Sequence, residues 1–160
     1  MGILYGLNRR KGREMITVLE VAIAILTFES MPPKKLQKLC YYAYAWYLTL
    51  NKKYLFQGPF EAWIHGPVHP DLYQSYKEYG WMSIPQVSNK PDVVDDNIYE
   101  FLGFVYESYG EFSGDQLEAI THDEKPWVEA RGSLREYEPS NNPINDTTIV
   151  DFYSQRLNGE

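Results

Sequence analysis

The chain has 160 residues, 44% of them hydrophobic and 16% aromatic, with a formal net charge of −7. That length suits one domain with a core of its own. A lone cysteine, Cys40, excludes an internal disulfide and any multi-cysteine metal site, and fits a reducing, cytoplasmic compartment.

The charge is unevenly placed. Of the 15 Lys and Arg, 4 (Arg9, Arg10, Lys11 and Arg13) fall in residues 1–14, with 1 of the 22 acids, Glu14; residues 15–160 keep 11 basic against 21 acidic, a balance of −10. Residues 1–14 read as a basic N-terminal arm or extension and 15–160 as a single domain. A body this acidic argues against tracking phosphates, so nucleic acid is expected only through the arm, and a basic protein is the better partner. The apolar run from Val18 to Phe28 is interrupted by Glu20 and too short for a bilayer, so neither a leader nor a membrane span is expected. Asn145-Asp146-Thr147 matches a glycosylation sequon that has no use without a secretory context.

From Ile16 to Thr27 apolar residues occupy more than one face, which predicts a buried helix ended by Met31-Pro32-Pro33. Leu36, Leu39, Cys40, Ala43, Trp46, Tyr47 and Leu50 then recur at spacings of three and four, the apolar stripe of a second, longer helix. Lys34, Lys35 and Lys38 lie off the stripe and are expected in water, with Tyr41, Tyr42 and Tyr44 widening its flank. Tyr54 to Phe56 and Phe60 to Ile64 flank Gln57-Gly58-Pro59 and read as a small hairpin or paired extended arms. His65 to Pro70 breaks regular structure. A third helix starts at Pro70 or Asp71 and carries Leu72, Tyr76 and Tyr79 to Gly80, which is placed to end it in a left-handed conformation.

A short strand is expected near Met82 to Ile84. Asp92, Asp95 and Asp96 favour the start of a fourth helix, with Ile98, Phe101, Leu102, Val105 and Tyr109 inward and Gly110 at its end. Ser113 to Gln116 reads as a capping box opening a short helix to about His122. Pro126 suits the first turn of another, reaching Gly132, and Asn145 or Asp146 caps a last one with Ile149, Phe152 and Tyr153 inward. The fold class is therefore mostly α (α+β): a compact multi-helix domain with a small antiparallel two- or three-stranded β element.

Candidate chemistry is sparse. His65, His69 and His122 are the one conceivable metal set, but Gly66 and Pro67 spoil helical spacing between the first two. Cys40 lies on the apolar stripe, unsuited to a nucleophile. No phosphate-cradling loop or dinucleotide fingerprint occurs, so neither an enzymatic activity nor a cofactor is expected. Two motifs remain, Glu61 to Val68 and Thr121-His122 with Pro126-Trp127. Their tryptophans, Trp63 and Trp127, serve either as core anchors beside proline corners or as rims of one concave surface.

Taken together and in order, KLQKLCYYAYAWYL, EAWIHGPVHPDLY and FSGDQLEAITHDEKPWVEAR resemble the Panacea-domain family, which includes SocA-like antitoxins and phage-associated GepA-like proteins. The resemblance runs from about Met15 to Leu157. It implies an antitoxin of a prophage or mobile-element module that neutralises a cognate protein toxin, encoded by the adjacent gene, by direct binding; the alternative is an adaptor delivering a partner to a protease. Lys35, Gln37, Lys38, Tyr41, Tyr42, Trp63, His65, Gly66, Pro67, Thr121, His122, Pro126 and Trp127 fall on the family pattern or beside it, as fold signature or partner surface.

Overall fold

The computed structural model describes residues 15–159, so the basic arm expected over 1–14 lies outside the described residues. Seven α-helices and one two-stranded antiparallel sheet follow in the order α1 (Val18–Ile25), α2 (Pro33–Asn51), β1 (Glu61–Trp63), β2 (Gly66–Val68), α3 (Pro70–Tyr76), α4 (Asp96–Tyr109), α5 (Gly114–His122), α6 (Lys125–Arg131) and α7 (Asp146–Leu157). The mostly helical class with a small sheet is the one the sequence predicts.

Local chemistry explains most boundaries. Glu20, which breaks the apolar run of the first helix, is its cap partner: the Thr17 amide donates to Glu20 Oε1 at 2.9 Å and the Glu20 amide to Thr17 Oγ1 at 3.2 Å. Pro32 and Pro33 open α2 where no intrahelical amide is needed, and Lys52 closes it at φ 56°, ψ 31°. The Ser113–Gln116 capping box forms with both bonds in place. Asp95 and Asn145 cap α4 and α7 through the amides of Ile98 and Thr148.

The second helix departs from its predicted stripe. Against α2 pack α1, α3, α4, α5, α7 and β2, so it is buried around most of its circumference. Lys35 and Lys38, expected in water, are covered, and Tyr41, Tyr42 and Tyr44 are interior rather than flanking. Lys34 is partly covered, and Leu50, predicted inward, is half exposed. The reason is a central position: a face that meets solvent in a two-layer packing here meets another element.

The hairpin is shifted from its predicted place. Leu55 and Phe56 are buried loop anchors, and the strands pair Glu61 with Val68, Ala62 with Pro67 and Trp63 with Gly66 across Ile64 and His65. Proline is tolerated in β2 because Ala62 turns its backbone groups away from it. The Ala62 amide donates to the Asn142 carbonyl at 2.8 Å, and its carbonyl accepts from Arg131 Nη1 at 3.2 Å. The Ile144 amide reaches the Phe60 carbonyl at 2.8 Å, so residues 142–144 cover the outer edge of β1 without forming a full third strand.

Two smaller expectations change. The third helix tightens into a 3₁₀ turn over Lys77–Tyr79, leaving Tyr79 exposed, and Gly80 takes φ 60° with ψ −119°, a positive φ but not the left-handed helical state. The strand near Met82 to Ile84 reduces to a single bridge between Ile84 and Met31.

Aromatic rings fill much of the interior. Tyr42 stacks on Tyr109 at 3.9 Å between centroids, and Tyr41 meets Tyr42, Phe60 and Tyr153 edge-on. Their hydroxyls converge on one buried carboxylate, Glu124: Tyr42 donates to its Oε1 at 2.9 Å and Tyr153 to the same oxygen at 2.8 Å. Burial raises the Glu124 pKa despite these bonds and despite Arg156 at 4.0 Å. A raised carboxylate pKa means that the fold favours the neutral acid, so its contribution weakens as pH rises through the folded value. Glu124→Gln keeps the accepting oxygen and removes the buried charge, and is expected to be at least as stable as the parent at pH 7. Glu124→Ala strands two buried hydroxyls and is expected to cost about 2–4 kcal/mol in urea unfolding. Equal losses in both variants would refute this account.

Candidate functional site

Part of the family pattern meets where the N-terminal half of α2, the hairpin and the α5–α6 corner join. Lys38 Nζ, fully buried, donates to the Pro67 carbonyl at 3.2 Å. Gly66 sits over that contact at φ +109°, and a Cβ there would run into Lys38 Cε and crowd Thr121 Oγ1. Only glycine lets the hairpin approach both side chains in this conformation. Thr121 turns its hydroxyl back to the Glu118 carbonyl at 2.8 Å.

The two tryptophans join the same junction. Trp127 Nε1 donates to the Trp63 carbonyl at 2.9 Å, and the His122 ring stacks on Trp127 at 3.9 Å with 13° between planes. Pro126 opens the turn that sets Trp127. Trp127 is a core anchor, whereas Trp63 is half-buried, packs on Tyr73 at 4.9 Å and lines a shallow groove with Pro139, Ser140 and Asn141. The remaining pattern residues brace other elements. Lys35 Nζ donates to the Gly110 carbonyl at 2.6 Å and pairs with Glu29 at 3.0 Å. Gln37 brackets the His69 backbone with bonds of 3.1 and 2.9 Å, and Tyr41 and Tyr42 belong to the Glu124 cluster.

Electrostatics at the junction centre on Glu118. Its carboxylate pairs with Lys34 at 2.5 Å and with His65 at 3.0 Å, and lies 3.8 Å from His122 Nε2. Partial burial pushes the Glu118 pKa up, but Lys34 and His65 outweigh it and hold the acid below its usual value. Lys34 is raised because its pairs with Asp115 and Glu118 overcome its own desolvation. Burial lowers the His122 pKa, with the nearby Glu118 charge opposing. Lys38 is pushed down to about 7 by burial and by the nearby Lys34 charge, with Glu118 opposing.

The three histidines do not assemble. His69 is spent on local structure: its Nδ1 accepts from the Asp71 amide, capping α3, and its Nε2 lies 2.9 Å from the Gln57 carbonyl. His65 is 70% exposed while His122 lies flat on an indole. Among the described residues no group of three or more His, Cys, Asp or Glu could hold a metal ion. Cys40 is buried, and burial pushes its thiol up, away from the thiolate that a nucleophile needs. None of the helices among the described residues is long and apolar enough to cross a membrane.

Residues 36–128 match the family model "Antitoxin SocA-like, Panacea domain". The chain belongs to the Panacea-domain, SocA-like family. It is 34% identical over 104 residues to "Antitoxin SocA" of Caulobacter vibrioides (strain NA1000 / CB15N), covering 58% of this chain and 55% of that protein. The chain thus spans about half the length of the curated relative it matches. No solved structure matches.

Sequence reasoning missed Lys34, Glu118, Glu124 and Arg131. Arg131 is buried and donates to the carbonyls of Ala62, Arg135 and Glu138 at 3.2, 2.8 and 2.8 Å, tying α6 to the hairpin and the following loop. A charged residue at a helix end carries no signal of burial in the sequence alone.

Two expectations follow for the Panacea junction. Gly66→Ala forces both a strained φ and a clash with Lys38 and Thr121, and is expected to destabilise by roughly 1–3 kcal/mol in thermal or urea melts. Lys38 binds a proton more weakly folded than unfolded, so stability should rise from pH 7 to pH 9 by up to roughly 1.4 kcal/mol per pH unit. Lys38→Met should flatten that slope; an unchanged slope would show that Lys38 stays charged when folded.

Proposed function

We propose that this Panacea-domain protein is a cytoplasmic, non-enzymatic antitoxin that neutralises a cognate protein toxin, encoded by the adjacent gene, by direct binding. The observation that carries this reading is the family match over residues 36–128, which spans α2 through most of α6. The site chemistry agrees with it. The buried polar groups at the junction serve the fold: Lys38 meets a backbone carbonyl, Gln37 brackets a peptide and Glu124 takes two tyrosine hydroxyls. The acidic body, −10 over residues 15–160, favours a basic protein partner over nucleic acid. The pattern residues then report the scaffold, and partner contacts fall on exposed side chains outside it.

The test is co-expression of the chain with the product of the adjacent gene. Expected are relief of growth inhibition by that product and a complex that survives purification. Growth inhibition unrelieved at equal expression, together with no complex, would overturn the reading.

A further inference from the structure

We propose that the outward face of α4 is the toxin-docking surface. It takes a cationic segment that packs an apolar side chain on Phe104 and sets Lys or Arg against Glu100, Glu107 and Glu111. This inference rests on the binding function proposed above and names the surface and the chemistry of its partner.

At 3.6 residues per turn, positions 100, 104 and 107 fall along one side of α4, spanning about 10 Å, and Glu111 follows in the turn just past the helix's C-cap, Gly110. The opposite side of α4 carries Leu102 and Val105 into the core. Phe104 is 59% exposed although it sits mid-helix in a well-packed element. The three glutamates are exposed and have no ion-pair or hydrogen-bond partner among the described residues.

Neighbouring acids are already engaged. Asp95 caps the helix, Asp96 faces Lys90 at 3.8 Å, and Asp115 and Glu118 pair with Lys34. From Pro91 to Glu124 the sequence has 10 acidic residues and no Lys or Arg, so this stretch supplies no cation of its own. An apolar partner would bury three unpaired carboxylates beside the ring, and a phosphate backbone would be repelled. A segment with cations around an apolar side chain satisfies both features at once, and the acidic rim raises its rate of encounter.

The test measures binding of the chain to the product of the adjacent gene at two salt concentrations. Three variants are compared with the parent: Glu100→Lys/Glu107→Lys/Glu111→Lys, Phe104→Ser, and a control with equal charge change on other faces, Glu78→Lys/Glu136→Lys/Asp151→Lys. Each is checked by thermal melting, and Glu100→Gln/Glu107→Gln/Glu111→Gln substitutes for the reversal if that variant fails to fold. Both α4 variants are expected to weaken binding about tenfold or more, the charge reversal also losing salt dependence, while the control stays within about twofold. Parent-like affinity in both α4 variants would overturn the proposal and leave the antitoxin reading intact. A parent chain that neither binds nor rescues would overturn both. Carbodiimide cross-linking of the complex identifies the occupant: links from a toxin lysine to the α4 glutamates support the proposal. Links from Lys11 instead would assign the face to the chain's own basic stretch and overturn it.

Discussion

The structure depends on burying one helix, α2, that is only partly apolar. Lys35, Gln37, Lys38, Thr49 and several tyrosine hydroxyls enter the core with it. Each must find a partner, because an unpaired polar group in the interior costs far more than a made hydrogen bond returns. The partners come from different parts of the chain: Gly110 after α4, the His69 backbone before α3, Pro67 in β2, Glu124 between α5 and α6, and Asp146 at the start of α7. Apolar packing alone would let these elements slide over α2. The polar contacts fix each at one height along it.

The same arrangement separates what the sequence showed from what it hid. Helix starts were legible because caps are local: Ser113 with Gln116, Asp95, Asn145 and Pro33 announce themselves within four residues. The hairpin was half legible. Its tight turn at Ile64-His65 was masked by Pro67, which is tolerated only because Asn142 and Arg131, far along the chain, take the backbone groups of Ala62. The burial of Lys35 and Lys38 was not legible at all. Helical periodicity separates an apolar from a polar face, and a helix enclosed by six elements has no polar face to find.

For the junction, the sequence singled out residues that the fold brings together and left their role open. Gly66, Pro67, Thr121, His122, Pro126 and Trp127 stand together as the family pattern suggests, yet they face one another. The three histidines do not come together: His69 turns to Asp71 and Gln57, and His122 lies on Trp127. Glu118, which faces His122 one turn on in its own helix, carried no motif because its two close partners, Lys34 and His65, lie far off in the sequence.

A pattern spent on internal contacts has a consequence for recognition. Exposed positions are released from the fold's demands, since changing them rarely moves stability by more than a few tenths of a kcal/mol in either direction, roughly ±0.5. A Panacea scaffold fixed by Lys38, Gly66 and Trp127 can therefore carry different outer faces without losing its core. On this chain the outer face of α4 combines an exposed ring with carboxylates that nothing else on the described protein uses, whereas the acids nearer the junction are consumed by Lys34. Division of labour of this kind lets binding specificity change on the surface while the buried lysines and tyrosines keep the helices in register.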